Sequence, residues 1–152
     1  MTRDEFITEY NSVSARALQL SKKARIEGLL ALEEMINHEK VMQRDILEYG
    51  LRFVVDGTDS PLLRDLLENI IDQEDDKYTR KLMMIKVETV LSVQAGDNTR
   101  ILAYKLNSFT DLSLKDDPII QEIMKEDGEG TLPSCGGALS SDEIESLIEG
   151  IK

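Results

Sequence analysis

The side chains that do chemistry are few in this chain. There is one cysteine, Cys135, and one histidine, His38. Cys135 lies in a Gly/Ser-rich stretch and reads as an exposed thiol. His38 lies among charged residues with no Cys or His at metal-ligand spacing. Carboxylates are abundant, but pairs such as Glu33-Glu34 and Asp75-Asp76 are adjacent, and adjacent helical residues point apart. They read as solvated faces rather than acid/base dyads. No Gly-rich phosphate loop, Cys/His zinc spacing or nucleophile elbow occurs. No catalytic residue, cofactor site or metal site is therefore expected, and the chain reads as non-enzymatic. The chemistry that remains is recognition.

The clearest recognition element lies near the C-terminus. Ser140 and Glu143 have capping-box spacing. Ile144, Leu147, Ile148 and Ile151 then recur at i, i+3, i+4 and i+7, among Asp142, Glu143, Glu145 and Glu149. This predicts a short acidic amphipathic helix over 141–152. A stripe on so short a helix is marginal alone and needs an apolar surface to bury against. Residues 127–140, rich in Gly, Ser, Pro and Thr, read as a flexible linker reaching roughly 20 Å.

The preceding 126 residues must supply the core, and their pattern is helical. The expected fold class is all-α, a compact domain (1–126) of about four to five helices. One long helix is expected from about Asp4 to Ile36, with Leu18, Ile26, Leu29, Leu30, Leu32 and Ile36 on one face. On its far side, Ala24, Gly28 and Ala31 form a small-residue strip suited to close approach. A second helix fits about Lys40 to Asp56. Asp56-Gly57-Thr58-Asp59-Ser60-Pro61 is a break, with Gly57 past a helix end, Ser60 as cap and Pro61 opening the next helix. That third helix is expected to continue past Leu91, with an exposed charged middle at 72–77. Gly96-Asp97-Asn98 ends it, Asp97 or Asn98 caps a next helix with Ile101, Leu102, Leu106 and Phe109 apolar, and a last short helix around Pro118 to Lys125 follows.

The net charge of -12 argues against nucleic acid and anionic lipid as partners. A single cysteine excludes an intrachain disulfide and favours a reducing compartment. The first twenty residues lack a signal-peptide pattern. No segment reaches the roughly 18 consecutive apolar residues of a membrane helix. A soluble, cytoplasmic protein is expected, without membrane insertion.

Three blocks, in order, resemble the cytoplasmic parts of the flagellar stator protein MotA. They are Lys23-Ala24-Arg25-Ile26-Glu27-Gly28-Leu29-Leu30-Ala31-Leu32-Glu33, Gly50-Leu51-Arg52-Phe53-Val54-Val55-Asp56-Gly57-Thr58-Asp59-Ser60-Pro61 and Val90-Leu91-Ser92-Val93-Gln94-Ala95-Gly96-Asp97-Asn98-Thr99-Arg100-Ile101. The blocks span about ninety positions, Ser21 to Phe109, with one large gap. Thr99 stands where the family usually has Pro. The family's membrane helices, which build its ion path, have no counterpart in this sequence, so the resemblance implies docking rather than ion conduction. It implies a place at the cytoplasmic face of the motor. Arg25 and Glu33 match the family's Arg and Glu that engage the rotor protein FliG. On one continuous helix they would lie about 12 Å apart along the axis and about 80° apart around it, both within the apolar face. Two readings follow: contact with the rotor, or half-burial with partners on neighbouring helices.

Leu139-Ser140-Ser141-Asp142-Glu143-Ile144-Glu145-Ser146-Leu147-Ile148 is similar to the N-terminal segment of the switch protein FliM, found also in some FliN-type proteins. That resemblance implies capture of the phosphorylated response regulator CheY by Asp142, Glu143, Ile144, Leu147 and Ile148. The alternatives are a tail that folds back on its own body, or a scaffold subunit of the motor whose tail is an assembly clip. Oligomeric state is left open, since family stators form rings.

Overall fold

The computed structural model of the chain describes residues 1–130. They belong to two compact units that divide after Leu112. The first unit holds α1 (Arg3–Glu27), a 3-10 segment (Leu29–Met35), α2 (His38–Met42), α3 (Ile46–Val55), α4 (Ser60–Ile71), α5 (Lys77–Ala95) and α6 (Thr99–Asn107). The second begins with a short 3-10 turn (Leu114–Asp116) and α7 (Pro118–Gly130). All regular structure among the described residues is thus helical, as the periodicity indicates. Among the described residues the number of elements is higher than expected, seven α-helices and two 3-10 segments, because each long helical pattern is interrupted.

The first expected helix breaks at Gly28, which takes φ +93°, a conformation that disfavours side chains. The second is split by Arg44, in the left-handed region at φ +58°. Asp45 then restarts the chain as α3 by accepting the Glu48 N–H at 3.2 Å. Arg seldom occupies this region, so no residue type announced the break. The third ends at Ile71, and the charged stretch is the turn into α5, capped by Asp76 through the Thr79 N–H at 2.9 Å. Asp59 rather than Ser60 caps α4, one residue earlier than expected. Gly57 and Gly96 fall past the ends of α3 and α5 with positive φ, as the turn residues implied, and of the two candidates Asp97 and Asn98 it is Asn98 that caps α6.

Long α1 and α5 are the spine of the first unit. α5 packs on α1, α3, α4 and α6, while α1 also packs on the 3-10 segment. Tyr10, Leu20, Leu51, Leu67, Ile85 and Leu102 are fully buried between them. Gly50 lets α3 approach α5 closely. A Cβ there would stand 2.7 Å from a methyl of Val90 and 3.3 Å from Leu67.

One buried polar knot fixes the end of the 3-10 segment. Glu48, 4% exposed, accepts two hydrogen bonds from the Arg16 guanidinium at 2.9 and 3.0 Å. It also accepts the Asn37 N–H at 2.9 Å, and Arg16 donates to the Met35 carbonyl at 2.6 Å. A buried carboxylate persists when its oxygens are so occupied. The knot joins α1, the 3-10 exit and α3.

In the second unit, Ser113 caps the short turn through the Asp116 N–H at 3.2 Å. The Asp117 carboxylate then accepts the Ile119 and Ile120 N–H groups at 2.9 and 3.3 Å, starting α7. α7 continues to Gly130, beyond the Lys125 end and into the stretch expected to be linker.

Candidate functional site

The sequence-predicted residues Arg25 and Glu33 lie on two elements rather than one. Arg25 is in the last turn of α1, and Glu33 is in the 3-10 segment beyond Gly28. The helical wheel that put both on an apolar face therefore does not apply. Both residues are exposed.

The local reason is a change of period. A 3-10 helix has three residues per turn, so residues three apart are eclipsed. Leu29, Leu32 and Met35 form one such row, with Leu32 fully buried and the other two packed against the core. Leu30 and Glu33 form the next row and face outward, Leu30 being 73% exposed. Ile26, on the other side of Gly28, is 82% exposed. Both apolar residues were expected on the buried face. Gly28 likewise serves the turn and not close packing, since nothing approaches within 4 Å of its Cβ position.

Each of the two charges has a defined internal partner. The Arg25 guanidinium donates to the Gly96 carbonyl at 2.7 Å, the C-cap of α5. A cation there also meets the negative end of the helix dipole. Glu33 accepts two hydrogen bonds from Arg52 of α3, at 2.8 and 2.9 Å. This fork pulls the Glu33 carboxyl below its ordinary range and raises the Arg52 guanidinium. Arg52 also meets Asp56 at 3.1 Å. Lys23 spans the break, contacting Glu27 at 3.3 Å and Glu34 at 3.0 Å. The Ser21 and Thr99 hydroxyls are hydrogen-bonded at 2.8 Å, tying α1 to the start of α6.

These contacts join the three sequence blocks. Arg25 of the first reaches Gly96 of the third, and Glu33 of the first reaches Arg52 of the second. Between the second and third blocks the chain forms the α4–α5 hairpin. No helix among the described residues is long and apolar enough to cross a membrane. Beside the Gly96 turn, Asp97 accepts from Lys105 at 2.8 Å and Ser92 at 2.5 Å, and these bonds hold its carboxyl below the usual range. No group of three or more His, Cys, Asp or Glu side chains placed to hold a metal occurs among the described residues.

Sequence reasoning did not find Arg52 or the Gly96 carbonyl as partners of the site, nor the Arg16–Glu48 knot. Arg25 and Gly96 are 71 residues apart, and Arg16 and Glu48 are 32 apart. Such separations leave no local pattern. The period-three spacing of Leu29, Leu32 and Met35 was present and is the one signal that could have revealed the 3-10 row. Asp142, Glu143, Ile144, Leu147 and Ile148 lie outside the described residues.

Over 81 residues the chain is 35% identical to Motility protein A of Treponema phagedenis. Over 81 residues it is 34% identical to Motility protein A of Treponema pallidum strain Nichols. Each match covers 53% of this chain and 30% of the relative, so the chain spans under a third of the curated relatives it matches. No family model matches the chain, and no solved structure matches it.

Proposed function

We propose that this chain is a non-enzymatic binding protein of a flagellar motor, docking on the rotor or the stator through residues of its first unit. The observation that carries the reading is the similarity to Motility protein A. It is supported by the folding of the three stator-like blocks into one unit that leaves Arg25 and Glu33 exposed on adjoining elements. The family resemblance makes FliG the first partner to test. Arg25, held against a helix end, and Glu33, held by Arg52, are pre-oriented charges, which lowers the entropy lost on docking.

The tail deepens this proposal. Its apolar stripe on an acidic helix resembles the FliM segment that captures phosphorylated CheY, so the chain would recruit that regulator to the motor. The scaffold alternative rests on the same stripe acting as an assembly clip.

The test is a pull-down from a motile, chemotactic strain with full-length and tail-deleted protein. Recovery of FliG or stator protein by both forms, and of CheY by the full-length form alone, supports the proposal. CheY binding should rise on phosphorylation and vanish with Ile144→Asp or Leu147→Asp. Phosphorylation-independent capture of another motor subunit by the tail favours the scaffold. Recovery of no motor component would defeat both readings.

A further inference from the structure

Gly28 reverses the chain by itself. The Met35 carbonyl, at the end of the 3-10 segment, accepts from Arg16 at 2.6 Å. Arg16 stands roughly 18 Å back along α1 from Gly28, at about 1.5 Å per residue. Leu29–Met35 spans roughly 14 Å at about 2.0 Å per residue. The segment therefore runs back beside α1, and Lys23 meets Glu34 at 3.0 Å on the way. Connections between packed helices usually take about two to eight residues. Here a single residue joins the end of α1 at Glu27 to the start of the 3-10 segment at Leu29. It does so at φ +93° and ψ +165°, a region essentially confined to glycine and costly to hold.

The sequence on the two sides of that turn reads as one helix. Leu29-Leu30-Ala31-Leu32-Glu33-Glu34-Met35 consists wholly of strong helix formers. Local preference is thus for a straight chain at Gly28, and the reversal is imposed by contacts of α1 with later elements. Arg3 meets Asp111 at 2.6 Å, Ser21 meets Thr99 at 2.8 Å, Arg25 meets the Gly96 carbonyl at 2.7 Å, and Arg16 holds Glu48. None of these contacts requires its two sides to belong to the same copy of the chain.

We propose that this chain exchanges α1 between two copies, with Gly28 as the hinge. When Gly28 takes a helical φ, α1 leaves its own α5 and α6 and packs on those of a second copy, which returns its own α1. Only an identical chain offers α1 the matching surface. Each contact of α1 is then remade across copies, while the Glu33–Arg52 fork stays within each. The exchange conserves the core and removes the backbone strain at both hinges, and short strained hinges favour such swapping. The proposal stands apart from the rotor reading.

The experiment refolds the purified full chain from denaturant at high concentration and reads the dimer-to-monomer ratio by size exclusion with light scattering. Gly28→Ala disfavours the closed turn and suits the open helix, so the ratio should rise roughly tenfold or more at equal concentration. Gly57→Ala, also at positive φ (+85°) but in a longer connection, should not raise it. Inserting Gly-Gly-Gly after Gly28 relieves the turn and should lower it. The exchange itself is read with Ser21→Cys and Thr99→Cys in a Cys135→Ser background. After oxidation, the dimer fraction should run on a denaturing gel as two linked chains and the monomer fraction as one. A dimer whose chains separate on that gel is a side-by-side dimer and overturns the proposal. A ratio unchanged by Gly28→Ala, or raised equally by Gly57→Ala, overturns it too. If Gly28→Ala does not fold, the glycine insertion decides, and a ratio that it leaves unchanged overturns the proposal.

Discussion

Arg52 grips Glu33 with two hydrogen bonds of 2.8 and 2.9 Å, joining α3 to the 3-10 segment across 19 residues of sequence. The planar guanidinium fork matches the carboxylate, so the pair sets where Glu33 points. Arg52→Ala should leave the unfolding midpoint nearly unchanged, because the pair is solvated. It should instead let the Glu33 carboxyl rise toward its ordinary pKa, which an NMR titration reads directly. Arg52→Lys would restore charge without the fork and recover only part of the depression.

The Arg16–Glu48 knot carries a different expectation because Glu48 is buried. Arg16→Ala leaves a buried carboxylate with the Asn37 N–H as its remaining cross-element donor, and should cost about 3 kcal/mol in denaturant unfolding. Replacing both residues with apolar ones, Arg16→Met with Glu48→Leu, should recover most of that loss. If the double replacement is as unstable as the sum of the single ones, the knot is more than a paired charge.

The two structural glycines should fail for separate reasons. Gly50→Ala puts a methyl 2.7 Å from Val90, a stiff β-branched neighbour, and should cost about 1–3 kcal/mol. Adding Val90→Ala makes room, so the pair should be less unstable than the two single losses combined. Gly28→Ala meets no atom but forces a side chain to adopt φ +93°, and should cost about 1–3 kcal/mol with no rescue by trimming neighbours.

Acid should loosen the first unit through two aspartates. Asp97 is held below its ordinary pKa by Lys105 and Ser92. Burial pushes Asp45 up, but the Lys86 hydrogen bond and charge, with the Glu48 N–H, bring it below the usual range. A depressed folded pKa contributes stability that is fully present above the unfolded value, about 3.9. That contribution is lost as pH falls below it through the folded values. Thermal midpoints should therefore drop steeply below about pH 4. Asp97→Asn should lower the midpoint at neutral pH and flatten the acid limb; an unaltered limb would exclude Asp97 from the transition.

Residue types alone determined the helical class of this chain, the breaks at Gly57 and Gly96, and the blocks that resemble a stator. Those features come from short-range rules, namely apolar spacing, side-chain caps and glycines past helix ends. The breaks at Gly28, Arg44 and the 72–76 turn were hidden, because apolar residues recur on both sides and imitate one continuous helix. Only the tertiary structure decided that Leu32 points inward while Ile26 and Leu30 point out. The end of the segment that tightens to three residues per turn is fixed by the Arg16–Glu48 knot, whose partners lie on separate elements. Arg25 and Glu33 illustrate the same limit. Their identity is legible in the chain, but their exposure and their bonds to Gly96 and Arg52 depend on α3 and α5 being packed beside them, which no local pattern encodes.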